Sequence, residues 1–159
     1  METNSEKQHP SRVKLLDTAL LVIRGKGYSA TRVEDVCAAA GLTKGSFFHH
    51  FDSKEALALA AADHFGAMAD GVFATAPYQS APDPLDRLLG YVDFRIAILQ
   101  GTLPEYTCLL GTMVQEAYDT HPAIRAACDT HISAHADMLA VDIEKAKALY
   151  APQAPWSAE

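Results

Sequence analysis

Two short helices joined by a tight turn are predicted by the segment Thr31-Arg-Val-Glu-Asp-Val-Cys-Ala-Ala-Ala-Gly41-Leu-Thr-Lys-Gly-Ser-Phe-Phe-His-His50. Its first residues, Thr31 to Glu34, have the pattern of a capping box, so a helix is expected over about 32–39. Gly41 can adopt the positive φ that ends a helix, and Thr43 can cap a second short helix that continues to about His50. This pattern predicts a helix-turn-helix, whose second helix enters the major groove of DNA.

The second short helix is expected to bury its aromatic residues and to expose its polar ones. Phe47 and Phe51 are the expected packing partners of the apolar face of the first helix. The residues left on the exposed face are Thr43, Lys44, Gly45, Ser46 and His49, with His50 at the edge. Hydroxyl, ammonium and imidazole groups can bond phosphates and base edges, and a glycine lets the backbone approach closely.

Helices are predicted on both sides of this segment as well. Apolar residues recur at helical spacing over about 11–25, and Asp52 is expected to cap a long helix over about 53–75. A loop rich in proline follows at 76–84, and further helices are expected over about 84–99, 105–118 and 122–150. No strand is expected, so the predicted fold class is all-α. The last residues, 152–159, predict a turn and a helix start, and we therefore expect a further helical segment after Glu159.

Composition restricts the class of protein. The chain has 159 residues, of which 49% are hydrophobic, and this suits a compact globular protein. No apolar run approaches the ~18 residues of a membrane span, and the polar N-terminus lacks the apolar core of a signal peptide, so a cytoplasmic protein is expected. The three cysteines are few and unclustered, which favours reduced thiols over a disulfide framework.

Charge is distributed unevenly along the chain. Residues 1–56 carry eight Lys and Arg against seven Asp and Glu, whereas the remainder carries five against thirteen. A nearly neutral head on an acidic body indicates that the two parts have different partners.

The ordered string Gly27 to Leu57, which includes the helix-turn-helix, resembles the DNA-binding head of the TetR family of bacterial transcriptional regulators. The resemblance implies an all-helical homodimer whose paired heads bind a palindromic operator, with a C-terminal domain that binds a small effector and then releases the DNA. The implied organisation is a disordered N-terminal arm at 1–10, a DNA-binding domain at 11–56, and a helical effector-binding and dimerisation domain at 57–159. No cofactor and no membrane are expected.

The resemblance also implies which residues contact DNA. They are Thr31, Thr43, Lys44, Gly45, Ser46, Phe48, His49 and Lys54. Phe48 stands where the family often has a tyrosine whose hydroxyl bonds a phosphate, and phenylalanine cannot make that bond. By themselves, Thr31 and Asp52 could be only helix caps, and Lys44 and Lys54 only solvated charges.

Candidate effector-binding residues are aromatic or polar side chains on otherwise apolar helices. They are Phe65, Tyr91, Tyr106, Cys108, Thr112, Gln115 and His135. The segment from Thr107 to Gly111 resembles a Cys-Leu-X-Gly subgroup of these regulators, in which some members respond to electrophiles. Cys108 is therefore either a candidate sensor or a packed core cysteine.

An alternative hypothesis is a small helical enzyme that depends on a metal or a thiol. It would use Cys108 together with Cys128, His131 and His135, because the last three are spaced so that they could converge on a metal. No complete set of nucleophile, base and orienting group can be identified, so the sequence favours a regulator without a metal site over an enzyme. A helical adaptor that only dimerises would leave the capped recognition segment unexplained.

Overall fold

The computed structural model describes residues 9–158, and in this range the chain is helical without any strand, which confirms the predicted all-α class. Within this range eight α-helices follow one another: α1 Pro10–Lys26, α2 Val33–Ala40, α3 Lys44–His50, α4 Lys54–Ala74, α5 Pro84–Ala97, α6 Leu103–Tyr106, α7 Leu109–Ala117 and α8 Pro122–Tyr150. A 3-10 helix, Pro77–Ser80, lies between α4 and α5.

A large core joins the N-terminal helices to α7 and α8. Phe47 of α3 is fully buried in it, and so are side chains of α1, α7 and α8. Its largest members are Leu15, Leu16, Ile23, Val36, Phe47, Leu57, Leu109, Met113, Ile124 and Cys128. The division predicted between residues 56 and 57 falls inside α4, so packing is continuous across it.

The turn between α2 and α3 has the predicted geometry. Gly41 adopts a left-handed conformation with φ of 62°, and the amide of Leu42 donates to the carbonyl oxygen of Cys37 at 2.9 Å. Thr43 caps α3 because its hydroxyl oxygen accepts from the amide of Ser46 at 3.1 Å. A left-handed residue reverses the chain in a few residues, which holds the two short helices at an angle to each other.

Two predicted caps are displaced by one residue. The cap of α2 is Arg32, whose amide donates to the Asp35 carboxylate at 2.8 Å, so Thr31 and Glu34 do not form the predicted capping box. The cap of α4 is Ser53 rather than Asp52, and its hydroxyl accepts from the amide of Ala56 at 3.0 Å.

The helix predicted over 105–118 is interrupted at Thr107 and Cys108, which are extended. Arg24 of α1 bonds the interrupted backbone, since its guanidinium donates to the carbonyl oxygens of Glu105 and Thr107, each at 3.2 Å. A continuous helix would direct those two carbonyls along its own axis. Cys108 therefore begins α7 as an exposed cap, instead of packing within an apolar helix.

Helix α5 is apolar on two faces, and only one of them is covered within the described residues. Its side toward α8 and the 3-10 helix carries Tyr91 and Phe94, which pack against Phe73 and Tyr78. A second stripe of apolar residues at helical spacing is largely exposed, with Leu89, Val92 and Ile96 its most accessible members on α5. Exposed apolar side chains also lie on α8, among them Val141 and Leu149.

Two expectations concern the ends of the chain. Residues 1–8 of the predicted disordered arm lie outside the described residues, and Pro10, its last residue, is already the first residue of α1. Residues 151–158 contain no helix, so the predicted helix start is absent there. Among the described helices, none combines the length and apolar character that crossing a membrane requires.

Candidate functional site

Helix α3 presents one polar face to solvent and buries the other. Phe47 anchors it, with its ring centre at 5.6 Å from that of Phe51. The exposed residues are Thr43, Lys44, Gly45, Phe48 and His49, while Ser46 is half-buried. The structure therefore brings six of the eight predicted DNA-binding residues onto one short surface. We call these six residues the α3 surface.

Lys44 is held at this surface by a neighbour on α2. Its ammonium forms an ion pair with the Glu34 carboxylate, and about half of each side chain is exposed. The hydrogen bond from Lys44 lowers the pKa of Glu34. Because an exposed ion pair contributes little to stability, an approaching phosphate can compete with Glu34 for the ammonium.

Thr31 does not belong to this surface, which corrects its predicted role. Its side chain is only 1% exposed, and its hydroxyl donates to the carbonyl oxygen of Gly27 at 2.6 Å. A side chain buried in this way supports the turn between α1 and α2 and has no free face for a phosphate.

Lys54 lies apart from the α3 surface and has a structural partner. Its ammonium donates to the carbonyl oxygen of Tyr28 at 3.1 Å and stands 4.4 Å from the centre of the Tyr28 ring. Both of these partners are uncharged. Lys54 therefore fixes the start of α4 to the turn between α1 and α2 while leaving a positive charge on the head.

Sequence reasoning missed a cluster that ties the start of α1 to the end of α3. The Ser11 hydroxyl contacts His9 Nδ1 at 2.7 Å and His50 Nε2 at 2.6 Å. Desolvation, followed by the nearby His49 and His9, lowers the pKa of His50. These residues are close only because α3 folds back across α1, so no local spacing could have revealed them.

A cavity of about 440 Å³ lies between α1, α4, α5, α8 and the segment around α6. Five of the seven predicted effector-binding residues line it: Phe65, Tyr91, Tyr106, Cys108 and His135. The other two, Thr112 and Gln115, line a separate and more open depression of about 310 Å³, whose wall also includes Cys108. The structure therefore does not bring all seven residues to one cavity.

The polar groups of the cavity gather around the Phe73 ring. The Tyr91 hydroxyl contacts His135 Nε2 at 3.0 Å, and the His135 ring centre is 4.6 Å from that of Phe73. Arg95 places its guanidinium carbon 5.6 Å from the centre of the same ring. Desolvation lowers the pKa of His135, and the charge of Arg95 lowers it further. Sequence reasoning missed Arg95, because an arginine on an exposed helix face is usually only solvated.

Two contacts connect the cavity region to the head. Arg24 of α1 lines the cavity and bonds the backbone between α6 and α7. Glu116 of α7 accepts from the amides of Tyr28 at 3.2 Å and Ser29 at 2.8 Å, in the turn between α1 and α2. Direct hydrogen bonds therefore join α7 to the turn that precedes the helix-turn-helix.

The residues of the enzyme alternative do not converge. Cys128 is fully buried, and burial raises the pKa of its thiol to about 11. His131 Nε2 contacts the Asp63 carboxylate at 2.9 Å, whereas His135 contacts Tyr91. Within residues 9–158 no group of three potential ligands is placed to hold a metal ion.

Comparison with known proteins identifies relatives of both parts of the chain. A family model described as "Bacterial regulatory proteins, tetR family" matches residues 15–61. The HTH-type transcriptional repressor DhaR of Mycobacterium sp. (strain GP1) is 30% identical over 116 residues, which are 73% of this chain and 57% of DhaR. The HTH-type transcriptional repressor KstR2 of Rhodococcus jostii (strain RHA1) is 48% identical over 46 residues, which are 29% of this chain and 22% of KstR2. The alignments thus span less than two thirds of these relatives.

A solved structure matches over most of the chain. The crystal structure of a TetR family transcriptional regulator from Cytophaga hutchinsonii superposes with a TM-score of 0.77 at 28% identity. The superposition covers 91% of this chain and 73% of the other. The likeness therefore extends from the helix-turn-helix through the helices that surround the cavity.

Proposed function

Because the chain belongs to the TetR family of bacterial regulatory proteins, we propose that it is a DNA-binding transcriptional repressor that a small effector releases from its operator. The observation that carries this proposal is the α3 surface, which is largely exposed, carries four polar side chains beside Gly45 and Phe48, and is braced from behind by the buried Phe47. A DNA-binding protein acts where the DNA is, so the proposed location is the cytoplasm.

In the proposed complex, α3 lies in the major groove. Thr43, Ser46 and His49 offer hydrogen bonds to base edges or phosphates, and Gly45 allows close approach of the backbone. The Lys44 ammonium leaves its ion pair with the Glu34 carboxylate and binds a phosphate instead. Phe48 is 53% exposed and contacts the DNA with an apolar ring, for which a thymine methyl group is a suitable partner.

The proposed repressor is a homodimer that binds a palindromic site. Two copies of α3 must stand about 34–36 Å apart to enter successive major grooves of one duplex face. The exposed apolar residues of α5 and α8 support self-association, because an apolar surface of this kind is costly to leave in water. Residues 11–56 act as the DNA-binding part, and residues from 57 onward act as the effector-binding and dimerisation part.

Effector binding in the cavity would change the angle of α4 and the position of α7. The cavity group comprises Phe65, Tyr91, Tyr106, Cys108 and His135, with Thr112 and Gln115 in the adjoining depression. Glu116 and Arg24 then transmit the displacement to the head. A small pivot is sufficient, because both copies of α3 must fit their grooves at once.

No group of three potential metal ligands converges among the described residues, and the relatives DhaR and KstR2 are repressors, so a regulator is favoured over the metal-dependent enzyme. Cys108 is exposed rather than packed in the core, so an electrophile could reach its thiol. Its role as an electrophile sensor stays a prediction.

Selection of duplexes from a random DNA library by the purified chain tests the proposed function. We expect enrichment of an inverted repeat whose half-site centres lie about one helical turn apart. A library that shows no enriched motif after repeated rounds would contradict the proposal. A chain with the triple substitution Thr43→Ala, Lys44→Ala and Ser46→Ala serves as the control, and it should enrich nothing.

A further inference from the structure

Building on the proposed function, we propose that the effector is an apolar carboxylic acid. Its carboxylate is held by Arg95 together with the Tyr91 and His135 pair, and its apolar body lies among the rings of the cavity. The cavity volume of about 440 Å³ is within the range of small-molecule sites.

The wall of the cavity suits an apolar body. Phe65, Phe73 and Tyr106 contribute rings to it, and Leu99 and Ile132 contribute aliphatic side chains. Both aliphatic residues are substantially exposed, so a ligand that covers them removes apolar surface from water.

Arg95 is the anchor for the anionic group. Its guanidinium stacks on Phe73, but it forms no ion pair or hydrogen bond with any of residues 9–158. A guanidinium offers five donors in a planar fork that matches a carboxylate. Arg24 adds a second positive charge, since its own partners are neutral carbonyl groups of Leu20, Glu105 and Thr107.

The acidic side chains of the cavity wall oppose this charge only in part. Glu105 directs one carboxylate oxygen to its own helix cap, where it accepts from the Thr102 amide at 2.6 Å and the Thr102 hydroxyl at 2.7 Å. Asp70 is the remaining acid of the lining and is exposed. The lining thus carries two guanidinium groups and two carboxylates, and what favours an anion at Arg95 is that the donors of its guanidinium are unpaired among the described residues, whereas a Glu105 carboxylate oxygen already accepts from Thr102.

The Tyr91 and His135 pair supplies a further donor in either arrangement of its protons. If the tyrosine hydroxyl donates to Nε2, the imidazole keeps its proton on Nδ1. If Nε2 donates instead, the hydroxyl proton stays free. One N–H or O–H therefore remains for a ligand oxygen, beside the same Phe73 ring on which Arg95 stacks.

Isothermal titration calorimetry on the full chain without DNA tests the ligand class. The probes are three acids, 2-naphthoate, 4-phenylbutanoate and decanoate, each compared with its carboxamide and its primary amine. We expect at least one acid to bind at least tenfold more tightly than both of its counterparts. Arg95→Gln should reduce that preference to less than threefold, and Tyr91→Phe should weaken acid binding severalfold.

Arg125→Gln is the matched control. Arg125 is also exposed and stacks on a ring, with its guanidinium carbon 5.1 Å from the centre of Tyr118, but it lies outside the cavity. This variant should keep the full preference for the acid.

Three results would overturn the ligand class: equal or tighter binding of the amides or amines, an undiminished preference in Arg95→Gln, or no binding of any acid. Failure of the proposed function is a separate result. An acid that binds with the expected preference but does not weaken DNA binding would leave the ligand class standing and contradict release by an effector.

Discussion

At the scale of single residues, the turn between α1 and α2 is held from two directions. The Glu116 carboxylate accepts from the amides of Tyr28 and Ser29, while the Lys54 ammonium donates to the Tyr28 carbonyl. Since α7 carries one of these groups and α4 the other, the position of the turn depends on both helices. We therefore expect Glu116 to affect the local stability of the head although it lies in the body.

Replacing Glu116 by glutamine tests this role. An amide offers a single acceptor oxygen without charge, so one of the two hydrogen bonds is removed and the other is weakened. We expect amide exchange at Tyr28 and Ser29 to accelerate about fivefold, which corresponds to about 1 kcal/mol. The measurement is hydrogen exchange followed by mass spectrometry.

Asp119→Asn is the control for that experiment. Asp119 is an exposed acid three residues further along the chain, and among the described residues it forms no hydrogen bond to the turn. This variant should leave the exchange of the turn unchanged. Equal exchange in the Glu116 variant and the wild type would show that the carboxylate does not hold the turn.

The protonation of His135 gives a pH dependence to acid binding. In the free protein the pKa of His135 is lowered by desolvation and by Arg95 of α5, while Asp70 of α4 opposes the shift. A carboxylate bound beside the ring raises that pKa, so binding takes up protons. Affinity for the acid should therefore rise severalfold as the pH falls from about 8 to about 6.

Calorimetry in buffers of different ionisation enthalpy measures this uptake directly. The variant His135→Gln should bind the acid with little pH dependence. A wild-type affinity that falls with falling pH would contradict the placement of the carboxylate next to His135.

Single residues also show where sequence reasoning reached its limit. The capping oxygen of Thr43 was predicted correctly, because it depends on a group three residues away. The predicted DNA contact of Thr31 does not fit the structure, because its hydroxyl donates to the Gly27 carbonyl oxygen within a tight turn. Arg24 and Glu116 act over more than eighty residues of sequence, and no local pattern indicates such partners.

At the scale of elements, two glycines in similar open surroundings should respond in opposite ways to alanine. A Cβ added at Gly41 or at Gly71 would meet no atom within 4 Å, but Gly41 has φ of 62° whereas Gly71 lies within α4. We expect Gly41→Ala to lower the free energy of unfolding by about 1 kcal/mol and Gly71→Ala to raise it by about 0.5 kcal/mol. Urea denaturation followed by circular dichroism measures both.

Each glycine variant is the control for the other, since both add one methyl group. Destabilisation of similar size in both would mean that the left-handed turn is not what makes Gly41 necessary. Stabilisation by alanine at residue 41 would contradict the turn geometry itself.

The ends of helices were easiest to predict where they depend on residues close together in the sequence. The turn at Gly41 and the proline that begins α5 agree with expectation, because each depends on backbone geometry alone. At the division of one expected helix into α6 and α7, the backbone carbonyls bond Arg24 of α1, a partner that no local pattern indicates. The exposed stripe of α5 has a helical period like that of a buried one, so periodicity could not tell which face is covered.

At the scale of the whole molecule, a continuous core links the α3 surface to the cavity. The buried side chains of α1 belong to the same core as those of α7 and α8, so the two parts cannot move independently without disturbing its packing. The uneven charge fits the proposed DNA complex, in which the nearly neutral head would approach the phosphates and the acidic body would stay away from them. This continuity supports the proposal that a ligand which shifts α7 and α4 changes how the head meets DNA.

Binding of duplex DNA through the α3 surface is the central claim, and the salt dependence of that binding tests it most directly. Fluorescence anisotropy of a labelled duplex carrying the selected site is measured between about 50 and 200 mM salt, conditions in which phosphate binding dominates the dependence. The proteins compared are the wild type, Lys44→Ala, and the control Lys145→Ala, which removes an exposed lysine of α8. We predict weaker binding by Lys44→Ala and a log-log slope shallower by about 0.9 for each phosphate that the variant no longer binds, with no change for Lys145→Ala. Equal affinity and equal slope for Lys44→Ala and the wild type would contradict the placement of α3 on the DNA.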